Sequence, residues 1–156
     1  MEDFPLSSAL RLLRWAVHGT FWALLVIALV AALREERAVE LAGGVLLGAL
    51  YGALHGSGPA LGRVWLGLVT ACWVALAVAA PEFVWPAFPL LFAYLRLLPL
   101  WAAMFGVTVM TSAAIMAAGW HAGELSAALV VGPAAGAAVM TSLALAYEAL
   151  SGMRAG

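Results

Sequence analysis

No charged side chain occurs between Leu125 and Tyr147. At about 1.5 Å per residue, a helix of that length covers the roughly 30 Å of a bilayer's hydrocarbon core. Few other folds can use such a run. The rest of the chain repeats the pattern: Trp15–Leu33, Leu41–Gly62, Val64–Ala80 and Leu100–Gly119 are apolar stretches set between short groups of charges. Hydrophobic residues make up 66% of the 156 and charged residues 10%, against about 25% in a soluble domain. The chain reads as an all-α polytopic transmembrane bundle whose partner is the lipid bilayer. A net charge of −1 with no basic run argues against nucleic acid. The single Cys72 excludes an internal disulfide and reads as a small packing residue.

In chain order, Met1–Leu13 is a short interfacial lead-in, and Arg11 and Arg14 precede the first span. That span's apolar core exceeds the 7–15 residues of a signal peptide and lacks a clear cleavage site, so it reads as permanent. Arg34-Glu35-Glu36-Arg37 and Glu40 form a mixed-charge link. Span two then carries Gly44, Gly48, Gly52 and Gly56 at four-residue intervals. Such a ladder lets another backbone approach closely, either within the subunit or at a dimer seam. His55 lies near the end of this span, where a histidine serves as a structural group or as a proton or ligand sensor.

Gly58-Pro59 breaks the helix, and Arg63 precedes span three, which ends at Pro81-Glu82. Phe83–Leu98 is ambiguous: it holds Trp85, Pro86 and Pro89 and has few uncharged residues before Arg96. It is either a short tilted span or a re-entrant hairpin. Parity of crossing separates the two. Six spans put Arg11, Arg14, Arg63, Arg96 and Arg154 on the cytoplasmic side with both termini, leaving only Arg34 and Arg37 outside, as the positive-inside rule requires. Six is the expected count. In span five, Met104, Met110 and Met116 turn about 240° per step and form no common ligand face, whereas Thr108 and Ser112 share a face and can bond across helices. In span six, Ala128, Gly132 and Gly136 repeat the small-residue spacing, a smooth face suited to the ladder of span two.

The segment from Ala80 to Pro99, with Trp120-His121-Ala122-Gly123 and the stretch from Val131-Gly132-Pro133 to Tyr147-Glu148-Ala149-Leu150, resembles the membrane-embedded input region of actinobacterial two-component sensor histidine kinases. The likeness covers nearly the whole chain. It implies a homodimer in a bacterial plasma membrane, whose last span, with Pro133, Tyr147 and Glu148, is the output helix, and in which residues 151–156 start a linker or truncated tail. Transmitter and ATP-binding domains are not within these 156 residues. ATP, Mg²⁺ and a response regulator are therefore expected only through such a domain. No cofactor is expected here.

No nucleophile–base arrangement, phosphate-cradling loop, HExxH or paired-cysteine motif occurs, so neither catalytic nor metal residues are assigned. His18, His55 and His121 have apolar or small neighbours, unlike a phospho-accepting histidine. Under six spans, Glu82, Trp85, Trp120, His121 and Glu124 gather at the outer face, either as a stimulus site for protons, a divalent cation or an amphiphile, or as an aromatic belt with loop charges. Arg96, near a span end, is expected to snorkel. The competing function is a stand-alone transporter-like or accessory membrane protein. The lack of a carboxylate at mid-span disfavours ion-coupled transport.

Overall fold

The computed structural model describes the backbone of residues 4–155 and the side chains of residues 7–150. Glu2 and Asp3 of the lead-in, and the Arg154 side chain, lie outside that description. The described chain is all-helical. Helices α1 (Phe4–Arg34), α2 (Ala38–Gly56), α3 (Pro59–Ala79), α5 (Leu100–Ala122) and α6 (Ala127–Ala155) are joined by short links, and α4 is the shorter Ala87–Leu97. Five of them are long and apolar enough to cross a membrane. Apolar side chains form both the core and much of the exterior, while no described polar or charged residue is fully buried. A fold that shows hydrocarbon inward and outward is a multi-pass membrane protein.

Several boundaries differ from expectation for local reasons. The lead-in is not a separate segment: α1 is helical from Phe4, and Pro5 in the first turn costs no hydrogen bond. Span two stops at Gly56, not Gly62. Gly58 is extended (φ −69°, ψ 169°) and Pro59 opens α3, because proline is preorganised for a first helical turn. The link from α1 to α2 turns on Glu36, whose φ of 55° is unusual for a residue with a side chain.

The ambiguous segment becomes a 3₁₀ turn over Pro81–Val84 followed by α4, whose 11 residues reach only about 16 Å. Pro86 caps α4 and Pro89 falls in its first turn, where the missing amide would have had no helical partner. Alone, α4 is too short to span hydrocarbon. It is a buried wedge instead, packed against α1, α3, α5 and α6. It is not a hairpin that returns to its starting end. Glu82 meets Arg37 beside the start of α2, whereas Leu97 lies under Gly62 near the start of α3. The segment from 81 to 98 thus joins opposite ends of the bundle.

These ends differ in charge. Glu35, Glu36, Glu40, Glu82 and Glu124 belong to links and helix termini at one, here the acidic end, with Arg34 and Arg37. Arg11, Arg14, Arg63 and Arg96 belong to the other, the basic end, with Glu148 of α6. Exposed tryptophans mark both: Trp85 and Trp120 near the acidic end, Trp15 and Trp101 near the basic end. That is where amphipathic indoles sit at two membrane interfaces.

Candidate functional site

At the acidic end the five residues singled out from sequence do not converge. Glu82 Oε1 accepts a hydrogen bond from Arg37 Nη2 at 3.1 Å. Arg37 Nε stands 2.9 Å from Glu35 Oε2 without the alignment of a hydrogen bond, so the Glu82 contact is the directional one. Glu82 is committed to closing the α1–α2 link onto the 3₁₀ turn. His121 bonds through Nε2 to the Ala77 carbonyl at 2.9 Å. A carbonyl only accepts, so the proton sits on Nε2 and the ring ties α5 to the end of α3.

Trp85 and His121 do share a cavity of about 330 Å³, with Pro81, Val84, Leu129 and Pro133. Trp120 faces a different one of about 400 Å³, beside Trp73, Ala77 and Met116. Glu124 is exposed and lines neither. Among the described residues no three His, Cys, Asp or Glu side chains gather where they could hold a metal ion. What this end offers is apolar space beside α6.

The denser chemistry lies at the basic end, around Tyr51. Helices α1 and α2 run antiparallel through a short link, which brings His18 of one to the depth of Tyr51 and His55 of the other. The Tyr51 ring is buried and stacks on Phe21, with centroids 3.6 Å apart and planes 14° apart. Its hydroxyl lies 2.9 Å from His18 Nδ1. His55 Nδ1 bonds at 2.8 Å to the Tyr51 carbonyl one turn back, which places its proton on Nδ1. The two imidazoles meet edge to face at 4.2 Å. Above them opens a cavity of about 270 Å³, bounded also by Arg14, Ser57, Phe92 and Arg96.

Sequence inspection missed this cluster because it weighed each histidine alone, against its neighbours in the chain. The available signal was the spacing. Arg14 and His18 share one helical face, Tyr51 and His55 another, and a tight antiparallel link sets the two faces at one level.

The glycine ladder divides. A Cβ on Gly44 would meet Leu29 and Phe83 at 2.6 and 2.9 Å, and one on Gly48 would meet Leu25 and Trp22 at 3.0 and 3.1 Å. Gly52 and Gly56 would meet nothing within 4 Å. The upper half is close packing within the subunit; the lower half has no protein against it. Nor does the ladder pair with span six. Gly132 faces open space and Gly136 accepts the Phe88 ring, because α4 lies between and takes the place the sequence assigned to α2. The expected interhelical bond of Thr108 is also absent: its hydroxyl bonds back to the Met104 carbonyl at 2.9 Å.

In α6, Pro133 lies inside the helix beside the Trp85 cavity, and Tyr147 meets Phe92 edge to face with centroids 5.8 Å apart. Glu148 is helical, and α6 continues through Ala155. No protein-family model, curated protein or solved structure matches this chain.

Proposed function

We propose that the chain is the membrane-embedded signal-input region of a sensor histidine kinase in a bacterial plasma membrane, working as a homodimer through α6. The observation that carries this reading is the character of α6. It runs for 29 residues, about 43 Å, which exceeds the hydrocarbon thickness by about two turns. It is also the least covered of the long helices, with 17% of its apolar window buried, and lies on α4 and α5. A helix held on one side and long enough to leave the bilayer can tilt or turn as one rod. Its exposed Val131 and Val139 leave a face for a second copy.

The proposed topology has six crossings, with both termini in the cytoplasm. The segment from 81 to 98 supplies the fourth by joining the two ends of the bundle, its short helix shielded from lipid by α1, α3, α5 and α6. Irregular backbone is tolerated at membrane depth when protein surrounds it. Arg14, Arg63 and Arg96 then share the cytoplasmic end, in keeping with the positive-inside rule. The stimulus enters from the membrane or its interface, since the links are too short to form a separate ligand-binding domain.

Two measurements test this. With Cys72→Ala as background, Ala122→Cys reacts with an impermeant thiol reagent in intact cells and Ser151→Cys does not; labelling at Ser151→Cys overturns the topology. Residues 1–155 fused to a histidine-kinase catalytic core, with one to four alanines inserted after Leu150, test the output. Each insertion turns the helix by about 100°, so autophosphorylation in vesicles rises and falls through the series and nearly recovers at four. A flat series rules out α6 as the output element.

A further inference from the structure

The cavity at the basic end has a property that the sensor reading does not use. Arg14 comes to it from α1 and Arg96 from α4, and neither forms an ion pair among the described residues. Among the described residues no carboxylate lines it. His18 and His55 are held in place through Nδ1, by the Tyr51 hydroxyl and carbonyl; with its proton on Nδ1, His55 offers at Nε2 a lone pair that suits a headgroup hydroxyl and not the phosphate. Ser57 donates its hydroxyl to the Ala53 carbonyl and likewise keeps only lone pairs at the rim. Two guanidiniums in a cavity whose described lining holds no carboxylate suit an anion, and the planar fork of arginine suits a phosphate.

A second opening tells which phosphate. A groove of about 300 Å³ runs from the same Trp15, His18 and His55 along the outside of α1 and α2, past Trp22 and Tyr51. Gly19 and Gly52 line it, and nothing lies within 4 Å of a Cβ added at either. Gly52, from the unfilled half of the glycine ladder, is therefore part of the wall of an aromatic channel on the outside of α1 and α2, with Trp15 73% exposed at its mouth. A free phosphate ion has no use for such a channel. A phospholipid fits both: charge in the cavity, glycerol and upper acyl chain in the groove.

We propose that the Arg14–Arg96 cavity and the Gly19–Gly52 groove together bind one anionic phospholipid, the phosphate held by the two arginines and the chain lying between α1 and α2. Basic pockets between membrane helices at the cytoplasmic surface take anionic headgroups, where the leaflet's own charge concentrates them. The proposal rests on the orientation proposed above, with the basic end in the cytoplasm, and is independent of what α6 drives.

Native mass spectrometry of the purified full chain, titrated with phosphatidylglycerol or with phosphatidylcholine bearing the same acyl chains, reads the site directly. The first phosphatidylglycerol is expected to bind about tenfold more tightly than phosphatidylcholine. Arg14→Gln with Arg96→Gln removes that preference, and Gly52→Leu weakens the phosphatidylglycerol by a similar factor by filling the groove. Arg63→Gln, at the same end but outside the cavity, leaves it unchanged. Equal affinity of the unaltered protein for the two lipids overturns the proposal without reference to any variant. An equal loss in Arg63→Gln overturns it too, showing general charge attraction instead of a site. Displacement of the lipid by millimolar inorganic phosphate assigns the cavity to a free anion and also overturns the proposal. Conversion to a dimer on lipid removal, with no headgroup preference, gives the groove to a second copy and has the same effect.

Discussion

The two ends of the bundle use the same sequence device to opposite effect. At the acidic end Gly44 lets Leu29 and the fully buried Phe83 press against the α2 backbone, and the Phe83 carbonyl accepts a 2.8 Å hydrogen bond from the buried Trp73 indole. Arg37 and Glu82 then fasten the links above. Two turns further along the same helix face, Gly52 and Gly56 touch nothing, and beside them lie a cavity, a groove and two imidazoles. Glycine spacing reports that a backbone can be approached. Whether a side chain, a lipid or another subunit approaches is decided by what the neighbouring helix brings to that depth.

The sharpest contrast between the ends comes from one substitution made twice. Gly44→Leu forces Leu29 and Phe83 apart in a closed core and is expected to cost about 3 kcal/mol. Gly52→Leu, in open space on a helix, is neutral or stabilising by up to about 1 kcal/mol. Thermal unfolding in detergent distinguishes them, and equal losses would abolish the distinction between a packed end and an open one.

A smaller effect is expected for Trp73→Phe, which leaves the Phe83 carbonyl without its donor and opens a void where the ring is 0% exposed. About 2 kcal/mol is lost there. Trp15→Phe at the open end loses under about 0.5 kcal/mol in the same assay. Smallest is the charge pair. Glu82→Gln weakens a partly exposed ion pair and costs about 1 kcal/mol, less at high salt. Arg96→Gln, without an acidic partner among the described residues, leaves stability unchanged; a comparable loss would reveal a structural role at the open end.

Thr70 and Tyr94 show how the central wedge is held. The Thr70 hydroxyl donates to the Leu66 carbonyl at 2.7 Å, so the short bond between the two hydroxyls has Tyr94 as its donor. A Cβ at Gly106 of α5 would run into the Tyr94 ring. Polar chemistry inside the bundle is thus limited to groups that can satisfy each other. The buried Thr111 hydroxyl, which has no partner, is an exception.

Much of the fold was legible before any coordinates. Uncharged runs bounded by Arg and Glu mark five long helices, although α1 starts eleven residues before Trp15 and α2 stops six before Gly62. Phe83–Leu98 was harder to read because its tryptophan and prolines suit both a strained span and a hairpin. Only the contacts of Glu82 with Arg37 and of Leu97 with Gly62 trace its path from end to end. Of the residues chosen from sequence at the outer face, Trp85 and His121 line one cavity and Glu82, Trp120 and Glu124 have other surroundings. Proximity in a predicted loop carries no information about the direction of a side chain.

What the residues alone determine is solvent and secondary structure, because burial of apolar runs in hydrocarbon and backbone hydrogen bonding within a helix are local demands. Which helices touch, and at what depth, is a matter of shape between segments distant in the chain. The antiparallel approach of α1 and α2 sets His18 against His55, and the insertion of α4 brings Arg96 to the same cavity while keeping α6 from α2. No periodicity within one helix encodes those meetings, since each depends on the volumes of side chains contributed by others.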